Sequence, residues 1–185
     1  MKTAFILISF LTALAQLVKV WELGYQSIRG RLYLFIFVIF IFQGLYGIFQ
    51  KDWLLLISRS LVVIGVLQYA IPFIRPALRD FGIKWLVWFA LDLILITPLI
   101  VIWFYIGGFG SFVMVVIADL ISVLSGYFNL IAFWGSEVGK RWIPGSIVIT
   151  LTFFGDILLP FNQTYGYIIL IIMSVLMALI ALRRG

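Results

Sequence analysis

Apolar residues run almost unbroken along this chain, and the breaks are short. Charged, glycine- or proline-containing stretches recur at Gly24 to Arg31, Gln50-Lys51-Asp52, Ile74 to Lys84, Gly107 to Gly110, Gly135 to Ile143 and Pro160 to Thr164. Between them lie apolar segments of about 16–24 residues, close to the length that crosses a ~30 Å hydrocarbon layer at 1.5 Å per residue. The spacing predicts spans at roughly Thr3–Val20, Leu32–Phe49, Trp53–Phe73, Trp85–Ile106, Ser111–Trp134, Pro144–Leu159 and Tyr165–Leu182. Pro144 suits the first turn of the sixth, and Thr97-Pro98 should kink the fourth.

The fifth span is not apolar all round. At ~100° per residue, Ser111, Ala118, Asp119, Ser122, Ser125, Gly126 and Asn129 share about one third of the circumference. The rest carries Val113, Val116, Ile117, Leu120, Ile121, Val123, Leu124, Tyr127, Phe128, Leu130 and Ile131. This pattern predicts a lipid-compatible back and a small, polar front that faces the protein interior. Ala118, Ser122 and Gly126, four residues apart, form a ridge that allows close helix approach.

Composition agrees with the pattern. Of the 185 residues 65% are hydrophobic and 11% charged, against about 45–50% and 25% in soluble domains, so lipid must solvate most of the surface. The fold expected is an all-α integral membrane protein, one transmembrane helical domain over residues 1–185 with about seven helices, multi-pass in the cell membrane. Six helices is the alternative, if the first span were a cleaved signal or the Lys51-Asp52 hairpin did not cross. Lys2 and Ala13-Leu14-Ala15 give the first span a signal-like look, and it is read here as an uncleaved helix.

The net charge of +6 reads as topology. With the N-terminus outside and the C-terminus cytoplasmic, the inner side collects Lys19, Arg29, Arg31, Arg75, Arg79, Lys84, Lys140, Arg141, Arg183 and Arg184. The outer side keeps Lys2 and Lys51. This is the positive-inside bias, and Trp21, Trp53, Trp85, Trp103, Trp134 and Trp142 near span ends match an aromatic belt. The expected partners are therefore the lipid bilayer and either further copies of the chain or other membrane subunits, not nucleic acid.

Cys and His are absent, which removes disulfides, Cys/His zinc sites, iron–sulfur clusters, His-ligated haem and a histidine proton shuttle. No cofactor and no metal site is expected. Three carboxylates lie within spans, Asp92, Asp119 and Asp156, and Arg59 lies about two turns inside the third. Each costs several kcal/mol at mid-bilayer if charged and alone, so they should face the bundle interior and pair. Counted along their spans, Arg59, Asp119 and Asp156 come to a similar depth in the outer half, Asp119 about eight residues or ~12 Å from its outer end. Asp92 sits nearer the inner end of the fourth span.

Two readings of these residues follow. In one, Asp119 and Asp156 bind a proton or cation, Arg59 is counter-ion or gate, and Ser122, Ser125 and Asn129 continue the path inward to Asp92. In the other, Arg59 forms a salt bridge with Asp119 or Asp156 that fixes helix packing. Gln16, Gln43 and Gln68 are expected to hydrogen-bond between helices. Gly107-Gly108-Phe109-Gly110 is read as a turn, since neither a preceding strand nor a following Lys-Ser or Lys-Thr marks a phosphate loop. Asn162-Gln163-Thr164 fits a glycosylation pattern but abuts helix ends.

Seven spans with an outer N-terminus are similar in topology to microbial rhodopsins and to trimeric intracellular cation channels. The seventh span, Tyr165 to Leu182, holds no Lys for a retinal Schiff base. The glycine-rich and basic helix motifs of the channels have no match. The chain is therefore assigned to no family. The function expected is transport of protons, cations or a small solute through a polar path lined by spans three to six. The alternative is a non-catalytic subunit of a larger membrane complex, such as a respiratory one. A membrane enzyme working through Asp carboxylates would need clustered acids, and these are dispersed along the chain; no catalytic signature points to an enzyme.

Overall fold

The computed structural model describes residues 1–24, 27–63, 65, 109–132, 135 and 137–183. Every regular element among them is a helix: α1 (Lys2–Leu23), α2 (Ile28–Phe49), α3 (52–63), α4 (Phe109–Ala132), α5 (Glu137–Leu158) and α6 (Gln163–Leu182). Three stretches are long and apolar enough to cross a membrane: Lys2–Leu23, Leu32–Phe49 and Gln163–Leu182. Phe112–Leu124 and Ile143–Leu158 are shorter apolar helical segments. The predicted fourth span, with Asp92, lies outside the described residues, as do Gln68 and the loop from Ile74 to Lys84.

Local chemistry sets the ends of these helices. Gly24 takes a positive φ of 75° and returns its N–H to the Val20 carbonyl, closing α1. Ser27 then opens α2, its hydroxyl accepting from the Gly30 N–H at 2.9 Å, which satisfies one of the free donors of a first turn. Gln50 ends α2 in the left-handed region at φ 50°. Asn162 caps α6 by accepting from the Tyr165 N–H. That role occupies the Asn162 side chain and places Gln163 and Thr164 inside a helix.

Two boundaries differ from the sequence reading. Glu137 to Ile143, expected as a loop, is the first part of α5, and Pro144 stands inside the helix. The charged residues of this segment suit an interfacial turn, with Glu137 at the favourable positive end of the helix dipole. Proline there removes only the N–H that would have met the carbonyl one turn back. Phe109 and Gly110, expected in a turn, begin α4.

The helices associate as an open chain of neighbours. α1 packs on α2 and on α6, α5 on both α6 and α4. Phe5, Phe40, Leu55, Val115, Val148 and Leu170 belong to one buried cluster that joins α1 through α6. Close approach is built from glycine: Gly44 faces the Phe10 ring, Gly47 the Ile6 side chain, Gly155 Leu170, and Gly166 the Leu159 backbone.

The orientation of α1 is inverted relative to a water-soluble helix. Its buried stripe is Phe5, Ser9, Thr12, Ala13, Gln16 and Val20. Its exposed face is Leu7, Leu11, Leu14, Leu17, Val18 and Trp21. Polar groups point in and leucines point out. Lipid tails are as apolar as leucine, so helix association in a bilayer rests on packing and interhelical hydrogen bonds; α1 shows both. α4 repeats the arrangement: Ala118, Asp119 and Ser122 are buried while Val113, Ile117, Leu120, Ile121, Leu124 and Ile131 are exposed.

Candidate functional site

Three helices bring one guanidinium and two carboxylates together. Arg59 comes from α3, Asp119 from α4 and Asp156 from α5, and all three are at most 2% exposed. Arg59 forks onto Asp156. Its Nε donates to Asp156 Oδ2, and its Nη2 donates to Asp156 Oδ1 at 2.9 Å. A planar five-donor guanidinium matches a carboxylate in this two-bond geometry, which a lysine cannot reproduce.

Asp119 is placed differently. Its Oδ1 lies 3.8 Å from Arg59 Nε, close enough for electrostatic attraction and too far for a hydrogen bond. Its Oδ2 is buried and has no hydrogen-bond partner among the described residues. The three groups therefore carry one positive charge against two acids, with the single fork fully engaged by only one of them.

The opposite side of the guanidinium is held by α2. Arg59 Nη1 donates to Gln43 Oε1 at 3.0 Å and to Ser58 Oγ at 3.2 Å. Ser58 in turn donates to the Ile39 carbonyl. Gln43 is fully buried, and both of its amide hydrogens have takers: Ser9 Oγ on α1 at 3.2 Å and Ser174 Oγ on α6 at 3.0 Å. Ser174 donates to the Leu170 carbonyl, Thr12 Oγ1 to the Ser174 and Ile8 carbonyls, and Gln16 Nε2 to the Met177 carbonyl. One polar network thus runs from the α1–α6 contact through Gln43 to the charged cluster.

The direction of the hydrogen bonds decides what this network can do. The Ser174 and Thr12 hydroxyls end on backbone carbonyls of their own or adjacent helices, and an amide separates them from Arg59. None hands a proton to a further hydroxyl. This branch positions the arginine and ties α1, α2 and α6 together; the two acids of the cluster lie outside it.

Of the residues singled out from sequence, Arg59, Asp119 and Asp156 meet at one place. Ser122 is fully buried one turn along α4, but its hydroxyl donates to the Ala118 carbonyl and makes no bond to the cluster. Asn129 is on α4, with its side chain outside the described residues, and Asp92 is likewise outside them. Equal depth along three spans is enough to pair Arg59 with Asp119 and Asp156. Depth does not reveal that Gln43 completes the arginine's coordination, or that Ser9, Thr12 and Ser174 support Gln43. A signal existed: Ser9, Thr12 and Gln16 recur at helical spacing on an otherwise apolar α1, as one buried polar face would.

Among the described residues no group of three or more Asp, Glu, His or Cys side chains is arranged to hold a metal ion. Compared with known proteins, the chain matches no family model, no curated protein and no solved structure. The site must therefore be argued from its own geometry.

Proposed function

We propose that this chain is a multi-pass protein of the cell membrane that moves protons or small cations across it. The reading takes the chain as one domain of seven spans, with the N-terminus outside and the C-terminus in the cytoplasm. Steep asymmetry of Lys and Arg between alternate loops supports that orientation. The polar path is centred on Arg59, Asp119 and Asp156, where spans three, five and six meet.

One observation carries the proposal: Asp119 is a buried acid, and one of its oxygens has no partner among the described residues. A purely structural salt bridge needs one acid for one arginine, and Asp156 already fills that role. A second acid in the same dry place costs free energy. Such a cost is commonly met where a membrane protein binds and releases an ion.

The test is reconstitution of the purified full-length chain into lipid vesicles, with imposed proton and alkali-cation gradients. Wild type is expected to dissipate one of these gradients, and Asp119→Asn, nearly isosteric, to lose that flux while folding and inserting normally. Absence of flux in wild type, together with purification of the chain in a heteromeric particle, would replace this reading with that of a non-catalytic subunit.

A further inference from the structure

We infer that the exchangeable species at this cluster is a proton, held on Asp119, and that Arg59–Asp156 is the fixed ion pair beside which it comes and goes. The inference deepens the transport reading and rests on it for the word exchange; the proton itself is detectable without any flux.

Charge and coordination decide between a proton and a metal cation. Arg59 and Asp156 cancel, leaving the second carboxylate as the uncompensated group. A hard metal cation would need about six oxygen ligands. Here the unpartnered ligand is one carboxylate oxygen, Asp119 Oδ2. A guanidinium stands 3.8 Å from the other oxygen of the same group and would repel a metal ion. The nearest hydroxyl on α4, that of Ser122, has its hydrogen engaged with the Ala118 carbonyl. A proton needs only one oxygen, and among the described residues one unpartnered carboxylate oxygen is what the site offers.

The surroundings of Asp119 fit this assignment from each neighbouring helix. α3 presents Arg59 and α5 presents Asp156. On α2, Gln43 is neutral and Tyr46 lies within electrostatic range of Arg59 and Asp156. Tyr167 of α6 lies within electrostatic range of Tyr46, and its hydroxyl accepts from Gln50 Nε2 at 3.4 Å. Besides Arg59 no cation among the described residues faces the carboxylate. With the proton on Asp119, the cluster is neutral and Arg59 stays forked on Asp156. When the proton leaves to water, the O–H bond pair remains on Asp119 and two carboxylates compete for one guanidinium. Arg59 then shifts toward Asp119, a short side-chain motion from 3.8 Å to hydrogen-bonding distance.

The experiment is infrared difference spectroscopy of the full-length protein in lipid nanodiscs, in H2O and D2O. Wild type at neutral pH should show the C=O stretch of a protonated carboxyl that shifts on deuteration. Asp119→Asn should abolish that band. Asp119→Glu should keep it at a shifted frequency, which guards against a variant that fails to fold. A wild-type spectrum without the band, a band indifferent to both variants, or one that disappears saturably on adding NaCl or KCl at constant pH would each overturn the proton assignment. A band that behaves as expected in a chain that passes no current would leave the proton site standing and remove the transport reading instead.

Discussion

Gln43 Oε1 accepts a hydrogen bond from Arg59 Nη1 at 3.0 Å, so a neutral side chain on α2 steers the one buried cation of the site. The amide is also pinned from its other end by Ser9 and Ser174. Its orientation is therefore fixed by partners on three other helices, and the arginine inherits that fixity.

Replacing Gln43 by Leu tests the point. The change keeps volume but leaves an arginine N–H and two serine hydroxyls without their amide partner. Each orphaned buried group costs about 1–3 kcal/mol, partly relieved because hydroxyls can rotate. Gln43→Leu is expected to lower thermal stability in detergent by about 2–4 kcal/mol on this basis. Ser58→Ala, which removes the second acceptor of Arg59 Nη1 and spares Gln43, should cost about 1 kcal/mol. Equal effects of the two would contradict a leading role for Gln43.

The two acids should respond unequally to neutralisation. Asp156 receives the fork of Arg59, and removing one partner of a buried pair costs about 3–5 kcal/mol. Asp119 makes no hydrogen bond to Arg59 and, holding a proton, carries no charge, so the nearly isosteric Asp119→Asn should change stability by less than about 1 kcal/mol, in either direction. Denaturation of the two variants side by side, in one detergent, checks the order. A more damaging Asp119→Asn would mean that Asp119 is the structural partner.

Glycine positions along the helix contacts give a prediction about packing that is independent of charge. A Cβ at Gly166 would lie 2.9 Å from the Leu159 backbone nitrogen, which cannot move aside. At Gly126 the nearest atoms are 3.6 Å and 3.8 Å away, on Ile149 and Ser146. Gly166→Ala is expected to cost about 1–3 kcal/mol through overpacking. Gly126→Ala should be neutral or slightly stabilising, since alanine is the better helix former. Thermal melting of both variants is the measurement.

These contrasts also show what could be read from the residues alone. Helical class, the apolar back of the Asp119 helix and the burial of its Ala118–Asp119–Ser122 front follow from periodicity, because a side chain's face is set by its number along the helix. The meeting of Arg59 with Asp119 and Asp156 followed from depth, because burying a charge in hydrocarbon demands a partner at the same level. Gln43 was not legible as part of the site. A glutamine between phenylalanines has no unique partner in sequence, and which helix it faces depends on how α1, α2 and α6 assemble. The start of α5 differs from the sequence pattern for a related reason: Pro144 marks a helix start only when the residues before it cannot continue the helix, and Glu137 to Ile143 can.

A paired substitution separates fold from function. Arg59→Met alone leaves Asp156 buried without its cation and should cost about 3–5 kcal/mol; Asp156→Leu alone removes the forked acceptor and leaves the guanidinium only Asp119, 3.8 Å away. Together, Arg59→Met and Asp156→Leu remove both charges and fill the space with apolar volume, and buried pairs replaced in this way are often neutral or better in stability. The residual cost is the donor lost by Gln43 Oε1, about 1 kcal/mol. The double variant should therefore melt within about 2 kcal/mol of wild type, a strong positive coupling between the two sites. If Arg59 and Asp156 serve only to hold helices together, the stable double variant should behave as wild type in every assay. If they form the counter-ion pair beside an exchangeable proton on Asp119, the double variant should be folded and inert in vesicles. Melting curves and flux measured on the same preparation decide between the two.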